Sequence, residues 1–379
     1  MTHRRYRLDP ATERHGAVII GGSPVRMFRL TPAGVGVVDA IATGRSVAPS
    51  RLVEALLAAG AIHPEPGVTG RYGVDDVTVV TPAFGPPRHL RPGAVLVDDG
   101  SQPPLADAAV RLPTNRGPGA ARNAGLATVS TALVAFVDTD VRCFDGDGVS
   151  DGGWLGPLLP HFDDDRVAAV APRVASTSGP GSLARYEERN SPLDLGPTPA
   201  RVEPGTRVGY VPAAAIVCRV DALRAIGGFD DSLRFGEDVD LVWRLLDHGW
   251  RVRYEPSSVV HHDPRRSWRS WIAQRAEYGS SAAPLAARHG DAVAPVRTSG
   301  WSIATWLVVV GGHPLLGAGV VAGTGAALAH RLPALPAWVS LRLTVRGHLH
   351  AGRQLSEAVR RAWWPLLSLV AIRSPMARR

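Results

Sequence analysis

The stretch "FVDTDV" (residues 136–141) places two aspartates, Asp138 and Asp140, at the end of an apolar run. The four residues before it, "ALVA", are also apolar, so we expect a buried strand to end at this point. A carboxylate at the end of a buried strand is costly unless a positive charge or hydrogen-bond donors compensate it. Two carboxylates one residue apart therefore predict a cationic partner at this strand end.

Three more short apolar runs end in polar residues. They are "DVTVVTP" (76–82), "AVLVDD" (94–99) and "VAAVAPRV" (167–174). Such runs are typical of a parallel sheet that is buried on both faces, so we predict an α/β domain with a mostly parallel, Rossmann-like sheet over residues 75–297. Ligands of such sheets collect at the carboxyl ends of the strands. The polar or special residues at these ends are Pro82, Asp98, Asp99, Asp138 and Asp140.

The composition excludes several classes of protein. The chain has 379 residues, 45% of them hydrophobic and 20% charged, which is typical of a globular protein. Two cysteines are too few for a disulfide framework or a cysteine-rich zinc site. No apolar core follows the basic first residues, so we expect no signal peptide and a cytoplasmic protein.

The net charge of +8 comes from the carboxyl-terminal region. Residues 301–379 contain nine arginines and one acid, Glu357, whereas arginines and acids balance over residues 1–300. The absence of net charge over residues 1–300 argues against a nucleic-acid groove there, and we expect no nucleic-acid partner.

Residues 1–66 alternate short strand and helix signals. "GAVIIGGSPVRMFRL" (16–30) predicts two short strands around a Gly-Gly turn. Thr31 and Ser50 are predicted N-caps of two helices, with Pro32 at the first helical position and Gly60 as a stop. This order resembles the small winged-helix domain of the PqqD type, which grips precursor peptides. The alternative is a plain amino-terminal subdomain that packs on the rest. A linker at 67–74 follows.

Residues 298–379 form an apolar and basic region that we expect to be helical. Residues 298–330 contain no charged side chain except histidine, but "HP" at 313–314 divides this stretch. Downstream, apolar residues fall on one helical stripe, flanked by arginines, at Leu341, Val345, Leu349, Leu355, Val359 and Trp363. This is the pattern of a basic helix at a membrane surface. A helical hairpin in the membrane and a tail helix that covers the sheet are the alternatives.

Four motifs stand in order along the predicted sheet domain. They are "VDDGS" (97–101), "NRGPGAARNAGL" (115–126), "VDTD" (137–140) and "GEDVDLVWRL" (236–245), with "PSSVVHH" (256–262) behind them. Each is weak alone, but their joint order resembles the family-2 glycosyltransferases with the GT-A nucleotide-sugar-binding fold. The resemblance covers about residues 76–290.

The resemblance implies a divalent cation, Mn²⁺ or Mg²⁺, between the Asp-x-Asp pair and the diphosphate of a nucleotide sugar. It maps the metal ligands to Asp138, Asp140 and His262, with His261 as the alternative histidine. Carboxylate and imidazole ligands suit these metals. A cation held there would neutralise the leaving diphosphate.

The resemblance also implies the residues that contact the nucleotide sugar and the acceptor. The inverting reaction needs a carboxylate as general base near the acceptor hydroxyl, a role that maps to Asp238, and Glu237 beside it would hold the acceptor. The alternative interpretation is that these two acids only supply the negative charge that is favourable at the N-terminus of a helix. Asp240 and Arg244 are predicted to form an i,i+4 ion pair. The donor-binding residues would be Pro82, Asp98, Asp99, Asn115, Gly117, Arg122 and Asp138.

Two connections are shorter than the family pattern. Residues 83–93 and 102–114 replace full helices, which suggests either a compact member or one that has lost activity. The whole layout resembles the family-2 enzymes of the mycofactocin system of actinobacteria. That resemblance implies UDP-glucose as donor and a peptide-derived small-molecule acceptor. The rivals are a membrane-associated transferase for a polysaccharide or lipid, and a non-catalytic nucleotide-sugar-binding module.

Overall fold

The computed structural model describes residues 3–65, 67, 70–143, 153–265, 267–294, 296–363, 367–369 and 373. Part of the predicted linker (68–69) and most of the last fifteen residues lie outside this set. The chain divides into two compact units, Met1–Ala292 and Val293–Arg379. The division of the first unit into a winged-helix domain and a separate transferase domain stays a prediction.

The amino-terminal segment contains small sheets and two helices. Its elements are β1 (Tyr6–Leu8), β2 (Glu13–His15), β3 (Val18–Gly21), β4 (Arg26–Arg29), α1 (Pro32–Ala42), α2 (Arg51–Ala59) and β5 (Ile62–Pro64). Strands β2, β3 and β4 form an antiparallel meander, and β1 pairs with β5. The predicted strands around the Gly-Gly turn are confirmed as β3 and β4.

Side-chain caps fix the ends of the two helices. The Thr31 hydroxyl accepts a hydrogen bond from the Gly34 amide, and the Ser50 hydroxyl accepts one from Val53. Gly60 ends α2 with φ +69°, a conformation that glycine adopts at low cost. All four predicted helix signals are confirmed, since α1 also begins at Pro32.

A nine-stranded sheet organises the rest of the first unit. Its strands follow the order β10-β14-β11-β13-β9-β6-β7-β8, with β12 paired to β14. The bounds are β6 (Val77–Ala83), β7 (Val95–Asp99), β8 (Val110–Leu112), β9 (Leu133–Val137), β10 (Val141–Arg142), β11 (Val167–Ser176), β12 (Ala200–Arg201), β13 (Ala215–Arg219) and β14 (Arg251–His262). The four apolar runs of the sequence are confirmed as β6, β7, β9 and β11.

The expectation of a mostly parallel sheet was wrong. β6, β7, β8 and β9 are parallel neighbours, as are β11 and β14. In contrast, β13 runs antiparallel to both β9 and β11, and β14 pairs antiparallel with β10 and β12. Buried strands of either direction show the same continuous apolar pattern, so the sequence did not reveal this reversal.

Helices connect and follow these strands. They are α3 (Pro118–Leu126), α4 (Ser182–Asn190), α5 (Val220–Ala225), α6 (Glu237–Asp247), α7 (Trp268–Ser280) and α8 (Ala282–His289). The first four of them, α3 to α6, contact the mixed sheet. Helix α3 lies close on β6: a Cβ at Gly125 would stand 2.3 Å from Val80 Cγ1. A larger residue at position 125 would therefore push α3 away from the sheet.

The two shortened connections contain no helix. Residues 84–94 between β6 and β7, and residues 100–109 between β7 and β8, consist of turns and bends. The first connection folds over the Asp-Thr-Asp motif, because the His89 amide donates to the Thr139 carbonyl at 2.9 Å. This loop therefore stands where the strand ends meet.

The second unit contains α9 (Gly300–Val310), α10 (Pro314–Arg331) and α11 (Ala337–Ala358). The Trp306 indole of α9 donates to the His348 carbonyl of α11 at 2.7 Å. Large apolar side chains remain exposed, including Leu307, Val310, Leu315 and Leu316. Among the residues described, none of the helices combines the length and the apolar character that crossing a membrane requires.

Candidate active site

Three strand ends and a loop form one cleft in the first unit. The carboxyl ends of β6, β7 and β9 bring their polar residues to the same edge of the sheet. The cleft is lined by Pro82, Asp99, Asn115, Gly117, Asp138 and Asp140, together with Arg265 and Glu277. The first six of these residues were predicted from the sequence to bind the nucleotide-sugar donor or the metal ion.

A second hollow continues from this cleft. It shares Asp138, Asp140, Arg265 and Glu277 with the first. Its own lining adds Arg122, Glu237, Asp238, His262, Tyr210 and Tyr278. The two hollows therefore meet at the Asp-Thr-Asp motif.

Arg122 lies beneath this meeting point. Its side chain is only 3% exposed, and it donates to Asp138 and Glu237, each at 2.8 Å. Burial works against the charge, but the two carboxylates keep the pKa of Arg122 above its ordinary value. The cationic partner that Asp138 required is thus supplied by the chain itself. Contact of Arg122 with a donor stays a prediction.

Asp238 stands in the first turn of α6, which Gly236 begins with φ +78°. Its carboxylate accepts from the Val239 amide at 2.8 Å and weakly from the Ala213 amide at 3.4 Å. Burial, followed by the negative charge of Glu237, raises the pKa of Asp238 to about 7. A carboxylate with that pKa is suited to take a proton near neutral pH.

The structure distinguishes between the two candidate histidines. His262 Nε2 lies 3.3 Å from Asp140 Oδ2, and its ring is buried, whereas His261 is exposed. Successive side chains of a strand point to opposite faces, and β10 pairs Val141 with His262. Burial acts to raise the pKa of Asp140, but the His262 hydrogen bond lowers it overall.

Asp140 and His262 fit a divalent cation whose coordination is completed by ligands from outside the chain. Asp140 and His262 provide one carboxylate and one imidazole, and His262 Nδ1 is buried without a hydrogen-bond partner. In the part of the chain that the structure describes, no cluster of three or more His, Cys, Asp or Glu side chains could hold a metal. The remaining ligands would thus have to come from diphosphate oxygens or water.

The residues of "VDDGS" organise the loops. Asp98 accepts from the backbone amides of Ser101 and Leu105, which holds the turn after β7. Asp99 accepts from the amides of Arg116 and Gly117 at 2.8 and 2.9 Å. Asn115 accepts from Arg234 at 2.8 Å. The strand end is thereby joined to the start of α3.

Sequence reasoning missed the contribution of α7 and of the segment before it. Arg265, Gln274, Glu277 and Tyr278 line the second hollow. Burial and the nearby charge of Asp238 raise the pKa of the Tyr278 hydroxyl. The sequence "RRSWRSW" (265–271) did not predict that these residues line the hollow, because its pattern indicates only the polar start of a helix. The predicted Asp240–Arg244 pair is confirmed at 2.7 Å.

Comparison with known families identifies the chain. A sequence profile described as glycosyl transferase family group 2 matches residues 143–376, more than half of the chain. This chain belongs to glycosyltransferase family 2. The matched range includes Glu237, Asp238 and His262 and begins just after Asp140.

Two curated relatives of this family-2 chain come from Mycobacterium tuberculosis. The pre-mycofactocin glycosyltransferase is 41% identical, over 96% of this chain and 81% of the relative. The N-acetylglucosaminyl-diphospho-decaprenol L-rhamnosyltransferase is 30% identical, over 55% of this chain and 82% of the relative. The resemblance stated from the motifs is therefore confirmed.

Solved structures of transferases are more distant. A mannosyltransferase from Pyrobaculum calidifontis, solved with GDP-mannose and Mn²⁺, is 18% identical with a TM-score of 0.39. The match covers 76% of this chain and 87% of the mannosyltransferase chain.

Proposed function

We propose that this family-2 transferase moves a hexose, glucose from UDP-glucose, onto a peptide-derived acceptor. The acceptor is mycofactocin or its precursor, and repeated transfer builds a β-linked oligosaccharide. The observation that carries this proposal is the 41% identity to the pre-mycofactocin glycosyltransferase over nearly the full chain. The two adjoining hollows support it, because a transferase must hold a donor and an acceptor side by side.

The chemistry assigned to the chain is a single displacement with inversion. Asp238 takes the proton from the acceptor hydroxyl, whose oxygen forms a bond to the anomeric carbon of the sugar. The bond from that carbon to the diphosphate breaks, and its electron pair leaves with UDP. Glu237, held by Arg122, stands beside the base and would orient the acceptor.

Donor binding is assigned to the first hollow. Asp99 would accept from the uracil ring, with Pro82, Asn115 and Gly117 around the nucleoside. Asp140 and His262 would hold Mn²⁺ or Mg²⁺, with Asp138 next to them. When bound, the cation neutralises the charge that grows on the leaving diphosphate.

We place the enzyme at the cytoplasmic face of the cell membrane. The second unit supports this placement, since Leu307, Val310, Leu315 and Leu316 are 64–86% exposed. The same region carries nine arginines against one acid, which favours an anionic lipid surface. On α11, Leu341, Val345 and Leu349 of the predicted apolar stripe are also exposed.

The second candidate is a membrane-associated transferase for a polysaccharide or lipid acceptor. The similarity to the rhamnosyltransferase and the exposed apolar helices favour it. Both candidates use the same donor chemistry, so the acceptor distinguishes them.

The first experiment measures UDP release from a panel of UDP- and dTDP-sugars with Mn²⁺, with and without acceptor peptides or polyprenyl lipids. Release that needs UDP-glucose and a peptide acceptor supports the first candidate, and release that needs a lipid supports the second. Without release, metal-dependent UDP binding would indicate that the true acceptor is absent. Loss of both would indicate a non-catalytic module.

A further inference from the structure

A large cavity of ≈ 1050 Å³ lies between the amino-terminal segment and the catalytic sheet, within the first unit. Its lining includes Tyr6 of β1, Glu54 and Leu57 of α2, and Arg253 of β14. His161 and Asp164, from the segment before β11, also line it. It shares no lining residue with the two hollows of the active site. Arg253 is nine residues before His262 on the same strand, which is at most about 30 Å away along β14.

Arg253 is the unusual residue of this cavity. Its side chain is 4% exposed, and its Nη1 atom is buried without a hydrogen-bond partner. Among the described residues, its guanidinium makes no ion pair within 4.0 Å. A buried arginine of this kind is costly, because its charge has lost water and gained no compensating acceptor. Burial and then the charge of Arg251 lower the pKa of Arg253 to about 10.

The neighbouring carboxylates are already used by other cations. Glu54 pairs with Arg166 and Arg251, at 2.9 and 2.6 Å. Asp164 also pairs with Arg166 and Arg251, at 3.2 and 2.9 Å. Glu255, two residues further along β14, is paired with Arg7 and His161, both at 3.1 Å. Arg253 therefore forms no ion pair with these three carboxylates, although Glu65, Asp163 and Asp165 also line the cavity.

We propose that Arg253 binds an oxyanion, a carboxylate or phosphate group, of a ligand that enters this cavity. The guanidinium fork offers paired N–H groups that match the geometry of both oxyanions. Because the Arg253 side chain is itself buried, such a charge-assisted contact would compensate its unpaired charge. This second site lies at the other end of β14 from the reaction centre and does not depend on the transferase activity.

The test uses the full-length protein and two probes, sodium phosphate and sodium acetate, against sodium chloride at equal ionic strength. Thermal unfolding is followed as each probe is titrated. A ligand that binds only the folded state raises the melting temperature in a saturable manner. We expect at least one probe to do so, and the difference between the probes shows which oxyanion the site prefers.

The variant Arg253→Met removes the charge and keeps much of the side-chain volume. We expect it to fold with a melting temperature in chloride equal to or above that of wild type, because it removes an unpaired buried charge. The apparent Kd of the effective probe should rise at least about tenfold. The control Arg189→Met, an exposed arginine on α4, should leave the probe response unchanged.

Hydrogen–deuterium exchange on the wild type gives an answer that does not require the variant to fold. The effective probe should slow exchange at residues 3–8 and 251–255 and leave residues 236–246 unchanged. The proposal is overturned if neither probe stabilises the wild type, if Arg253→Met responds like wild type, or if protection appears only around the active site.

Discussion

Arg122 donates a hydrogen bond to Glu237 at 2.8 Å, although 115 residues separate them. The same guanidinium donates to Asp138, so α3 holds the start of α6 and the end of β9 together. Asp238 follows Glu237 directly, and its position depends on this arrangement. The buried arginine is thus placed to set the geometry of the acidic residues of the site.

Replacing Arg122 should destabilise the fold. Arg122→Met leaves two carboxylates without their partner in a buried setting, and breaking such a pair costs about 3–5 kcal/mol. Urea unfolding measures the change. The control is Arg116→Met, since Arg116 pairs with Asp231 at an exposed position and should cost no more than about 1 kcal/mol. Equal losses in the two variants would contradict a special role for Arg122.

Removing the proposed base should abolish turnover and keep donor binding. Asp238→Asn cannot accept the proton, so we expect kcat to fall by about 10²–10⁴-fold. UDP binding by calorimetry should stay within about twofold, because the donor hollow is lined by other residues. Asp247→Asn, at the exposed end of the same helix, is the matched control. Full activity of the Asp238 variant would assign the base elsewhere.

The pH dependence follows from the raised pKa of Asp238, about 7 in the folded protein against an ordinary 3.8. The base must be ionised, so kcat/KM should rise about tenfold per pH unit up to pH ~7 and then level off. The folded state binds this proton more tightly than the unfolded state. Asp238 therefore stabilises the fold below its ordinary pKa, and this contribution is lost as the pH rises towards 7.

Unfolding of wild type and Asp238→Asn at pH 4 and pH 8 measures this second effect. The asparagine variant should gain stability relative to wild type at pH 8, because it carries no charge there. A difference that does not change with pH would show that Asp238 titrates normally.

The two histidines at the end of β14 provide a matched pair. His262→Gln should weaken Mn²⁺-dependent UDP binding at least about tenfold, because it removes one of two protein donors. His261→Gln, on the opposite face, should bind like wild type. Asp140→Asn should abolish metal-dependent UDP binding while the protein still folds. Calorimetry measures UDP binding with and without Mn²⁺. Unchanged binding in both Asp140→Asn and His262→Gln would exclude this metal site.

Lipid binding by the second unit can be tested by sedimentation with vesicles. Vesicles with anionic lipid should bind the protein, and raised salt should weaken the binding, because the arginine charge is screened. Replacing both Leu315 and Leu316 by serine should reduce the bound fraction by more than half. Val25→Ser, which changes a residue of the first unit that is as exposed as Leu316, is the control. Binding that ignores the leucines, or a wild type that never sediments, would contradict the placement.

Local signals in the sequence predicted the parts of the site that lie close together along the chain. The strand end before Asp138, the helix that starts at Glu237 and the caps at Thr31 and Ser50 were found because capping and burial depend on neighbouring residues. The link from Arg122 to Glu237 was not found, because a contact over 115 residues depends on how the sheet is assembled. The strand β13, which was not among the predicted strands, and its antiparallel direction were missed for the same reason.

Asp99 was predicted to contact the base of the nucleotide, and its carboxylate is held by the segment that leads into α3. Both oxygens accept backbone amides, those of Arg116 and Gly117, which leaves about half of the lone-pair sites free. These two hydrogen bonds restrict the rotation of the Asp99 side chain. If Asp99 contacts the base as proposed, binding would lose little conformational entropy at this residue, and the preference between bases would be set by the loop before contact.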